Sequence, residues 1–147
     1  MILLRTARST DAGRVGEILS EFVDTTPWMP RVHTRAQDIA HAGALIEKGW
    51  VIVAEKEGVV CGFAACDAHN LNALYVGSAW RGQGVGSTLL IHLQRSKPRL
   101  RLWTFEANER AQTFYRRHGF EEITRTQGAA NDENLPDIRF EWQREAA

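Results

Sequence analysis

Hydrophobic residues recur along this chain with two different spacings, and the spacing separates helices from strands. Between residues 12 and 46 apolar side chains return every three or four positions, as Val15, Ile18 and Leu19 do, which predicts two amphipathic helices. From residue 50 onward, short apolar runs bounded by glycine, proline or polar residues predict several strands. A polar stretch at residues 127–137 predicts a mobile loop before the last strand.

Local signals indicate where these elements begin and end. Residues 10–11 can cap the first helix, Pro27 breaks it, and Thr34 with Gln37 forms a capping-box pattern for the second helix. The predicted elements are a strand at 2–6, two helices between 11 and 49, strands at 50–56, 59–67 and 71–76, a helix at 84–95, a strand at 100–106, a helix at 108–118, and strands at 120–126 and 138–142. This order favours an α/β or α+β fold, and the length favours one domain over residues 1–147.

The segment that joins the strand at 71–76 to the helix at 84–95 is rich in glycine. Its residues are Arg81, Gly82, Gln83, Gly84, Val85, Gly86 and Ser87. Glycine lets the backbone approach a ligand closely, and the free N–H groups at a helix start attract anions. Arg81 adds a positive charge beside them. The segment therefore predicts a binding site for a phosphate or pyrophosphate group.

Two common phosphate-binding patterns do not match this segment. A P-loop ends in Gly-Lys-Ser/Thr, whereas Gly86 is followed directly by Ser87 without a lysine. A dinucleotide fingerprint needs glycine at position 87, although Glu106 lies about twenty residues further on, where a ribose-binding acid would be expected. Too few residues remain for a full doubly wound sheet, which also counts against a dinucleotide.

Two blocks of residues resemble the GNAT superfamily of N-acetyltransferases. The first is the apolar run Leu74, Tyr75 and Val76 with the glycine-rich segment, which is similar to the family's acetyl-CoA loop, Gln/Arg-x-x-Gly-x-Gly/Ala. The second, NERAQTFYRRHGF at 108–120, is similar to a later helix with the pattern N-x-x-A-x-x-F-Y followed by G-F. Ser78 departs from the family, which usually has proline at this position.

The resemblance implies a GNAT-like α/β (α+β) domain with acetyl-CoA as cosubstrate. Its mixed sheet of about seven strands would splay between two parallel strands, 71–76 and 100–106, flanked by about four helices. The pantetheine arm of acetyl-CoA would enter that gap, and a primary amine would attack the thioester directly. The residues implied to bind acetyl-CoA are Leu74, Tyr75, Val76, Arg81, Gly82, Gln83, Gly84, Val85, Gly86, Ser87 and Asn108.

The same resemblance suggests catalytic groups. Tyr115 matches the tyrosine that protonates the departing thiolate, which is chemically reasonable because tyrosine stays protonated at neutral pH. A bulge in the strand would free the N–H of Leu74 or Tyr75 to bind the thioester oxygen. The strand carries no carboxylate, so the general base stays open between His69 and a water chain held by Asn72.

Acceptor recognition in this family falls on the first two helices and the last hairpin. The candidate residues are Phe22, Asp24, Trp28, Met29, His33, Asn72 and Trp103. Aromatic and acidic side chains together would suit a small cationic amine through charge and cation–π contact. A small-molecule acceptor is expected from the short chain and the loop around Trp28. A peptide or protein amine, or an acetyl-CoA-binding module without turnover, are the alternatives.

Composition narrows the partners and the compartment. A net charge of zero gives no electrostatic basis for binding nucleic acid or an anionic membrane. No apolar run approaches the roughly 18 residues of a membrane span, and residues 1–5 are too short for a signal-peptide core, so a cytoplasmic protein is expected. The protein is expected to be a monomer, or a homodimer that pairs through the edge of its last hairpin.

Histidine and cysteine are too scattered to indicate a metal. The five histidines show no metal-ligand spacing with each other or with the two cysteines, so no metal site is predicted. Cys61 and Cys66 lie five residues apart on one predicted strand, roughly 16 Å in length, and cannot pair. The odd spacing predicts that they point to opposite faces of the sheet.

Overall fold

The computed structural model describes residues 1–145 as a single seven-stranded sheet with four helices. The elements are β1 (Ile2–Thr6), α1 (Ala12–Thr25), α2 (Arg35–Glu47), β2 (Val51–Lys56), β3 (Val59–Asp67), β4 (Asn70–Val76), α3 (Val85–Ser96), β5 (Arg99–Phe105), α4 (Glu109–Arg117), β6 (Glu121–Thr126) and β7 (Asp137–Gln143). Short 3-10 turns precede α1 at Ser9–Asp11 and α3 at Ser78–Trp80. This order is the predicted one, with element ends shifted by a few residues. The predicted domain also includes residues 146–147, which lie outside the described range.

The sheet opens in its middle. Its strand order is β1-β2-β3-β4-β5-β7-β6, and β4 with β5 is the parallel pair among antiparallel neighbours. These two strands share one paired position, Asn70 with Arg101, and separate beyond it. The prediction of a mixed sheet that splays between two parallel strands is confirmed.

Helices cover both faces of the sheet. Neighbouring residues of a strand point to opposite faces, and Phe63 belongs to a buried cluster with Val15 of α1, while Ala64 belongs to a second cluster with Leu89 of α3 and Phe140 of β7. The first cluster therefore fills the space under α1 and α2. The second fills the space under α3 and α4, and it also joins the two halves of the sheet.

The first two helices lie unusually close together. A Cβ atom built at Gly16 of α1 would lie 2.5 Å from the Cα atom of Ile39 in α2, so only glycine fits between the two backbones. The capping box at the start of α2 is confirmed. Thr34 Oγ1 accepts from the N–H of Gln37 at 3.1 Å, and Gln37 Oε1 accepts from the N–H of Thr34 at 2.8 Å.

Two bulges change which residues face which side of the sheet. The β2–β3 register omits Cys61, and the β3–β4 register omits Asn72, so each is an extra residue in its strand. The bulge at Cys61 turns its side chain into the same cluster against which Cys66 packs. The prediction that the two cysteines point to opposite faces is therefore wrong, since it assumed unbroken alternation.

None of the helices in the described part of the chain is long and apolar enough to cross a bilayer. Within the same residues, no three histidine, cysteine, aspartate or glutamate side chains come together as a metal-ion site.

Candidate active site

A cavity of about 730 Å³ occupies the gap where β4 and β5 separate. Its walls come from the glycine-rich segment and α4 on one side, and from α1 and the α1–α2 loop on the other. The predicted site residues that line it are Phe22, Trp28, Asn72, Leu74, Tyr75, Val76, Arg81, Gly82, Gly84, Val85, Gly86, Ser87, Trp103, Asn108 and Tyr115. The splayed sheet thus brings together residues that lie up to 93 positions apart, from 22 to 115.

The predicted residues Gln83 and His33 do not line this cavity. Gln83 turns its side chain away, accepting from Lys56 Nζ at 2.7 Å and donating to the carbonyl of Ala79. His33 Nε2 lies 3.2 Å from the carboxylate of Asp132. That contact joins the α1–α2 loop to the β6–β7 loop on the face of the sheet that α1 and α2 cover, called the acceptor side below because the acceptor is expected there.

The glycine-rich segment has the backbone of an anion site. Gly82 and Gly84 have φ angles of +76° and +82°, in the left-handed region that favours glycine. Gly84 is the N-cap of α3, and no side chain of residues 1–145 caps this helix. The first N–H groups of α3, from Val85 to Ser87, are therefore left for a ligand, in the field of the helix dipole.

Three arginines line the same side of the cavity. Arg81 was predicted from the segment itself, whereas Arg110 and Arg117 of α4 were missed. Their spacing of seven residues places both on one face of a helix, together with Phe114, and this spacing is the sequence signal that could have found them. Phe114 also packs close to Gly86, where a Cβ atom would lie 3.5 Å from its ring. The arrangement suits a ligand with several phosphate groups.

The edge of β4 presents free backbone groups to the gap. Gly77 N–H donates to the carbonyl of Cys61 at 2.8 Å. Because backbone groups alternate in direction along a strand, the N–H and C=O of Tyr75 point toward β3, and those of Leu74 and Val76 point toward the gap. Of the two predicted oxyanion donors, this geometry favours Leu74 and disfavours Tyr75. The bulge lies at Asn72 rather than within residues 74–76, which corrects its predicted place.

Tyr115 lies on α4 and is 8% exposed. Its ring packs edge-on against Phe114 and Phe120, with ring centroids 5.3 and 5.4 Å apart. Burial raises the pKa of the Tyr115 hydroxyl above the ordinary tyrosine value, because the phenolate would lose its solvation. The side chain therefore keeps its proton at neutral pH and can donate a hydrogen bond to an anion that forms in the cavity.

Asn108 has the predicted capping role at the start of α4. Its Oδ1 accepts from the N–H of Ala111 at 3.1 Å, and the residue also lines the cavity. The cap fixes the start of the helix that carries Tyr115. Asn108 therefore contributes to the site both by lining the cavity and by holding this helix in place.

Aromatic rings bridge the gap on the acceptor side. The ring of Phe22 lies 5.0 Å from Tyr75 and 6.3 Å from Trp28, and Trp28 in turn lies 5.8 Å from Phe105. These rings connect α1 with β4 and β5 over the opening. Trp103 is 51% exposed beside them and is not a core residue. The result is an apolar entrance that can hold the stem of an acceptor.

Asp24, the acidic residue expected to attract a cationic amine, forms ion pairs with two arginines. Arg31 donates to Asp24 at 2.7 Å, and Arg35 adds a second ion pair. The hydrogen bond from Arg31 lowers the pKa of the Asp24 carboxyl. Arg31 also bonds to Ser20 and to Asp38, so Asp24 belongs to a bridge between α1 and α2. The prediction of an acidic contact from Asp24 to the acceptor is therefore not supported by the geometry.

Two titratable side chains, His69 beside β4 and Tyr75 within it, bear on the choice of a general base. His69 lies in the β3–β4 turn rather than in the cavity lining, and its buried Nδ1 atom has no hydrogen-bond partner among residues 1–145. Burial raises the pKa of Tyr75 to about 12, and the negative charges of Glu133 and Asp38 add to the effect. The sequence gave no sign that the charge of Glu133, in the β6–β7 loop, would act on Tyr75.

The backbone N–H of Ser78, which a proline at this position would lack, makes a hydrogen bond. This N–H donates to the carboxylate of Glu21 in α1 at 2.7 Å. The residue that departs from the family pattern therefore links α1 to the turn before the glycine-rich segment.

Comparisons with known proteins agree with this geometry. The sequence model of the acetyltransferase (GNAT) domain matches residues 47–122. The peptidyl-lysine N-acetyltransferase YjaB of Escherichia coli K12 is 28% identical over 129 residues, which cover 86% of this chain and 87% of YjaB. An uncharacterized N-acetyltransferase of Archaeoglobus fulgidus is 29% identical over 102 residues, covering 56% of this chain and 69% of that protein.

Solved structures share the fold over nearly the whole length. The solution structure of apo YjaB from Escherichia coli superposes with a TM-score of 0.79 at 24% identity, covering 96% of this chain and 97% of YjaB. The structure of yncA, a putative acetyltransferase from Salmonella typhimurium with its cofactor acetyl-CoA, superposes with a TM-score of 0.75 at 23% identity, covering 100% and 97% of the two chains.

Proposed function

Since the chain belongs to the GNAT acetyltransferase family and is an N-acetyltransferase, we propose that it acetylates the primary amine of a small molecule by direct attack on the thioester of acetyl-CoA. One observation carries this proposal. The cavity between β4 and β5 reaches the glycine-rich segment on one side and the aromatic entrance on the other. Two substrates can therefore enter from opposite sides and meet beside Leu74 and Tyr115.

The groups along the cavity suit acetyl-CoA from end to end. Its phosphates would bind the free N–H groups at the start of α3, with Arg81, Arg110 and Arg117 adding positive charge. Its pantetheine amides would pair with the edge of β4 that faces the gap. The thioester is the acetyl donor, and the protein supplies its orientation.

The reaction then follows from the groups around the thioester. The amine nitrogen attacks the carbonyl carbon, and the Leu74 N–H stabilises the negative charge that develops on the oxygen. The carbon–sulfur bond breaks, and Tyr115 gives its proton to the departing thiolate. The proton lost by the amine passes to water held near Asn72, and Tyr115 regains a proton from solvent. The products are an amide and free CoA.

A small acceptor is supported by the way two loops meet at this side of the sheet. The contact between His33 and Asp132 joins the α1–α2 loop, which carries Trp28, to the β6–β7 loop. A peptide lysine is the second candidate, because the relative YjaB is named a peptidyl-lysine N-acetyltransferase.

We expect Gly82→Ala to weaken acetyl-CoA binding at least fivefold. A residue with a Cβ atom in the left-handed region costs about 1–2 kcal/mol. The loop would therefore change its backbone conformation, and its N–H groups would no longer point at the phosphates. Gly58→Ala is the matched control, since Gly58 has nearly the same φ of +77° in the β2–β3 turn and, like Gly82, nothing within 4 Å of an added Cβ. Calorimetry should show a weaker Kd for Gly82→Ala alone, with a similar loss of Tm in both. Equal affinity in both variants would remove the loop from the binding site.

The acceptor class is tested by measuring CoA release from acetyl-CoA with a panel of amines. The panel contains polyamines, amino acids, aminoglycosides, and peptides with a free N-terminus or lysine. We expect release above the amine-free background with one class of small amine. Release with peptides alone would replace this proposal by the second candidate. Acetyl-CoA binding without release from any member would indicate a binding module.

A further inference from the structure

A second, smaller cavity of about 280 Å³ adjoins the first at the closed end of the gap. The two cavities share Leu71, Asn72, Leu102 and Trp103 in their walls, so they lie side by side along β4 and β5. The smaller cavity lies where β4 and β5 come together at Asn70 and Arg101. A molecule that enters the acceptor side can therefore extend from the thioester region into this space.

The smaller cavity is polar and positively charged. Its polar side chains are Asn70, Asn72, Arg101 and Arg139, and no carboxylate lines it. Arg101 donates from Nε to Asn70 Oδ1, and within residues 1–145 it forms no ion pair with a carboxylate. Arg139 is partly neutralised by Glu141 at 3.0 Å. Glu141 lies opposite Arg101 in the β5–β7 register but pairs with Arg139, so the two arginines and this carboxylate leave a net charge of +1.

These side chains lie on the acceptor face of the sheet. Leu100 and Leu102 belong to the cluster under α3 and α4, so alternation along β5 turns Arg101 and Trp103 to the opposite face. That face also carries the rings of Phe22 and Trp28. The exposed indole of Trp103 separates the aromatic entrance from the arginines and offers an apolar wall to a hydrocarbon chain.

The positions along β4 set a distance between the two ends of an acceptor. Asn72 and Asn70 lie two and four residues before Leu74, which corresponds to at most about 7 and 13 Å along a strand, since the bulge at Asn72 shortens this stretch. An amine placed at the thioester therefore has the positive groups several ångströms behind it. A second cationic group there would be repelled, whereas a carboxylate would be attracted and could bind Arg101 through two N–H groups.

We propose that the acceptor carries a carboxylate about 7–13 Å from its reactive amine, and that Arg101, with Arg139 and the two asparagines, binds it. The proposal rests on the proposed acetyl transfer and specifies its substrate class as an amine with a distal carboxylate. A free ω-amino acid and a peptide with an acidic residue near its amine share this chemistry. The small cavity volume favours the free amino acid.

The test compares acceptors and products that differ only in the carboxylate. Turnover is measured with 6-aminohexanoate and hexylamine, and binding in the presence of CoA is measured by calorimetry with 6-acetamidohexanoate and N-hexylacetamide. Two lysine peptides with blocked termini test whether the carboxylate can belong to a peptide. One has aspartate beside the lysine, and the other has alanine there. Each compound is used with the wild type, with Arg101→Gln, and with Arg99→Gln, an exposed arginine on the same face of β5 outside the cavity.

We expect the carboxylate to improve kcat/KM and product affinity at least tenfold in the wild type and in Arg99→Gln, and less than threefold in Arg101→Gln. A preference for the acidic peptide alone, lost in Arg101→Gln, would support the carboxylate site. It would show that the carboxylate belongs to a peptide and not to a free amino acid. Product binding that depends on Arg101 without turnover would support the site while the proposed enzyme function fails. Equal values with and without the carboxylate, or no product binding at all, would overturn the proposal.

Discussion

Tyr115→Phe should lower kcat at least tenfold while the Kd for acetyl-CoA changes by less than about twofold. The variant removes only the hydroxyl that would protonate the departing thiolate, and loss of a general acid costs about 10²–10⁴ in rate when it acts in the transition state. The ring contacts with Phe114 and Phe120 remain, so the helix stays in place. Steady-state kinetics with the preferred acceptor, combined with calorimetry, measure both quantities.

Tyr75→Phe provides the comparison for this experiment. Tyr75 lines the same cavity and is also a tyrosine with a raised pKa, but its ring packs between Phe22 and Phe63 at the acceptor side. We expect a much smaller loss of kcat from this variant. If Tyr115→Phe turned over as fast as the wild type, Tyr115 would have no part in the mechanism.

Gly16→Ala should destabilise the protein by about 1–2 kcal/mol, the cost of overpacking less the gain in helix propensity. The added methyl would lie 2.5 Å from Ile39 Cα and 2.9 Å from Ile39 N, and neither backbone atom can move without displacing α2. Overpacking of this kind typically costs 1–3 kcal/mol, and here it opposes the higher helix propensity of alanine. Urea unfolding should show a lower midpoint with an unchanged slope.

Gly13→Ala is the matched control in the same helix. Nothing lies within 4 Å of a Cβ atom at Gly13, so this variant should gain a few tenths to about 1 kcal/mol from helix propensity. A Gly16→Ala protein as stable as Gly13→Ala would show that α2 can shift away from α1 at little cost. The close approach of the two helices would then not be a constraint on the fold.

The element order could be predicted because local signals mark both ends of most elements. The capping box at Thr34 and Gln37 and the glycine at 84 each act within a few residues, so their effect is visible in the sequence. The splayed sheet was predicted through the family resemblance, since the spacing of apolar residues does not show which strands separate. The bulges at Cys61 and Asn72 escaped prediction because strand pairing, not the strand's own sequence, reveals an extra residue.

The parts of the candidate site that lie in short continuous stretches of sequence could be predicted. The contacts between side chains that only the tertiary structure brings together were harder to predict. The glycine-rich segment and Tyr115 came from two short blocks and line one cavity. The ion pair of Asp24 was not predictable in the same way, because Arg31, seven residues further along the chain, folds back and neutralises its carboxylate. Long-range contacts of charged side chains are set by tertiary structure, which a single sequence does not display.

The separation of β4 from β5 leaves two sheet edges inside the molecule. The N–H groups of Leu74 and Val76 face this opening, so the native sheet is incomplete until something with amide groups lies along it. A ligand that completes the sheet binds the folded chain and not the unfolded one. It therefore adds RT ln(1 + [L]/Kd) to the free energy of unfolding, about 2.7 kcal/mol at a hundred times Kd. Where acetyl-CoA binds along this edge as proposed, the thermal stability of the protein rises with the acetyl-CoA concentration.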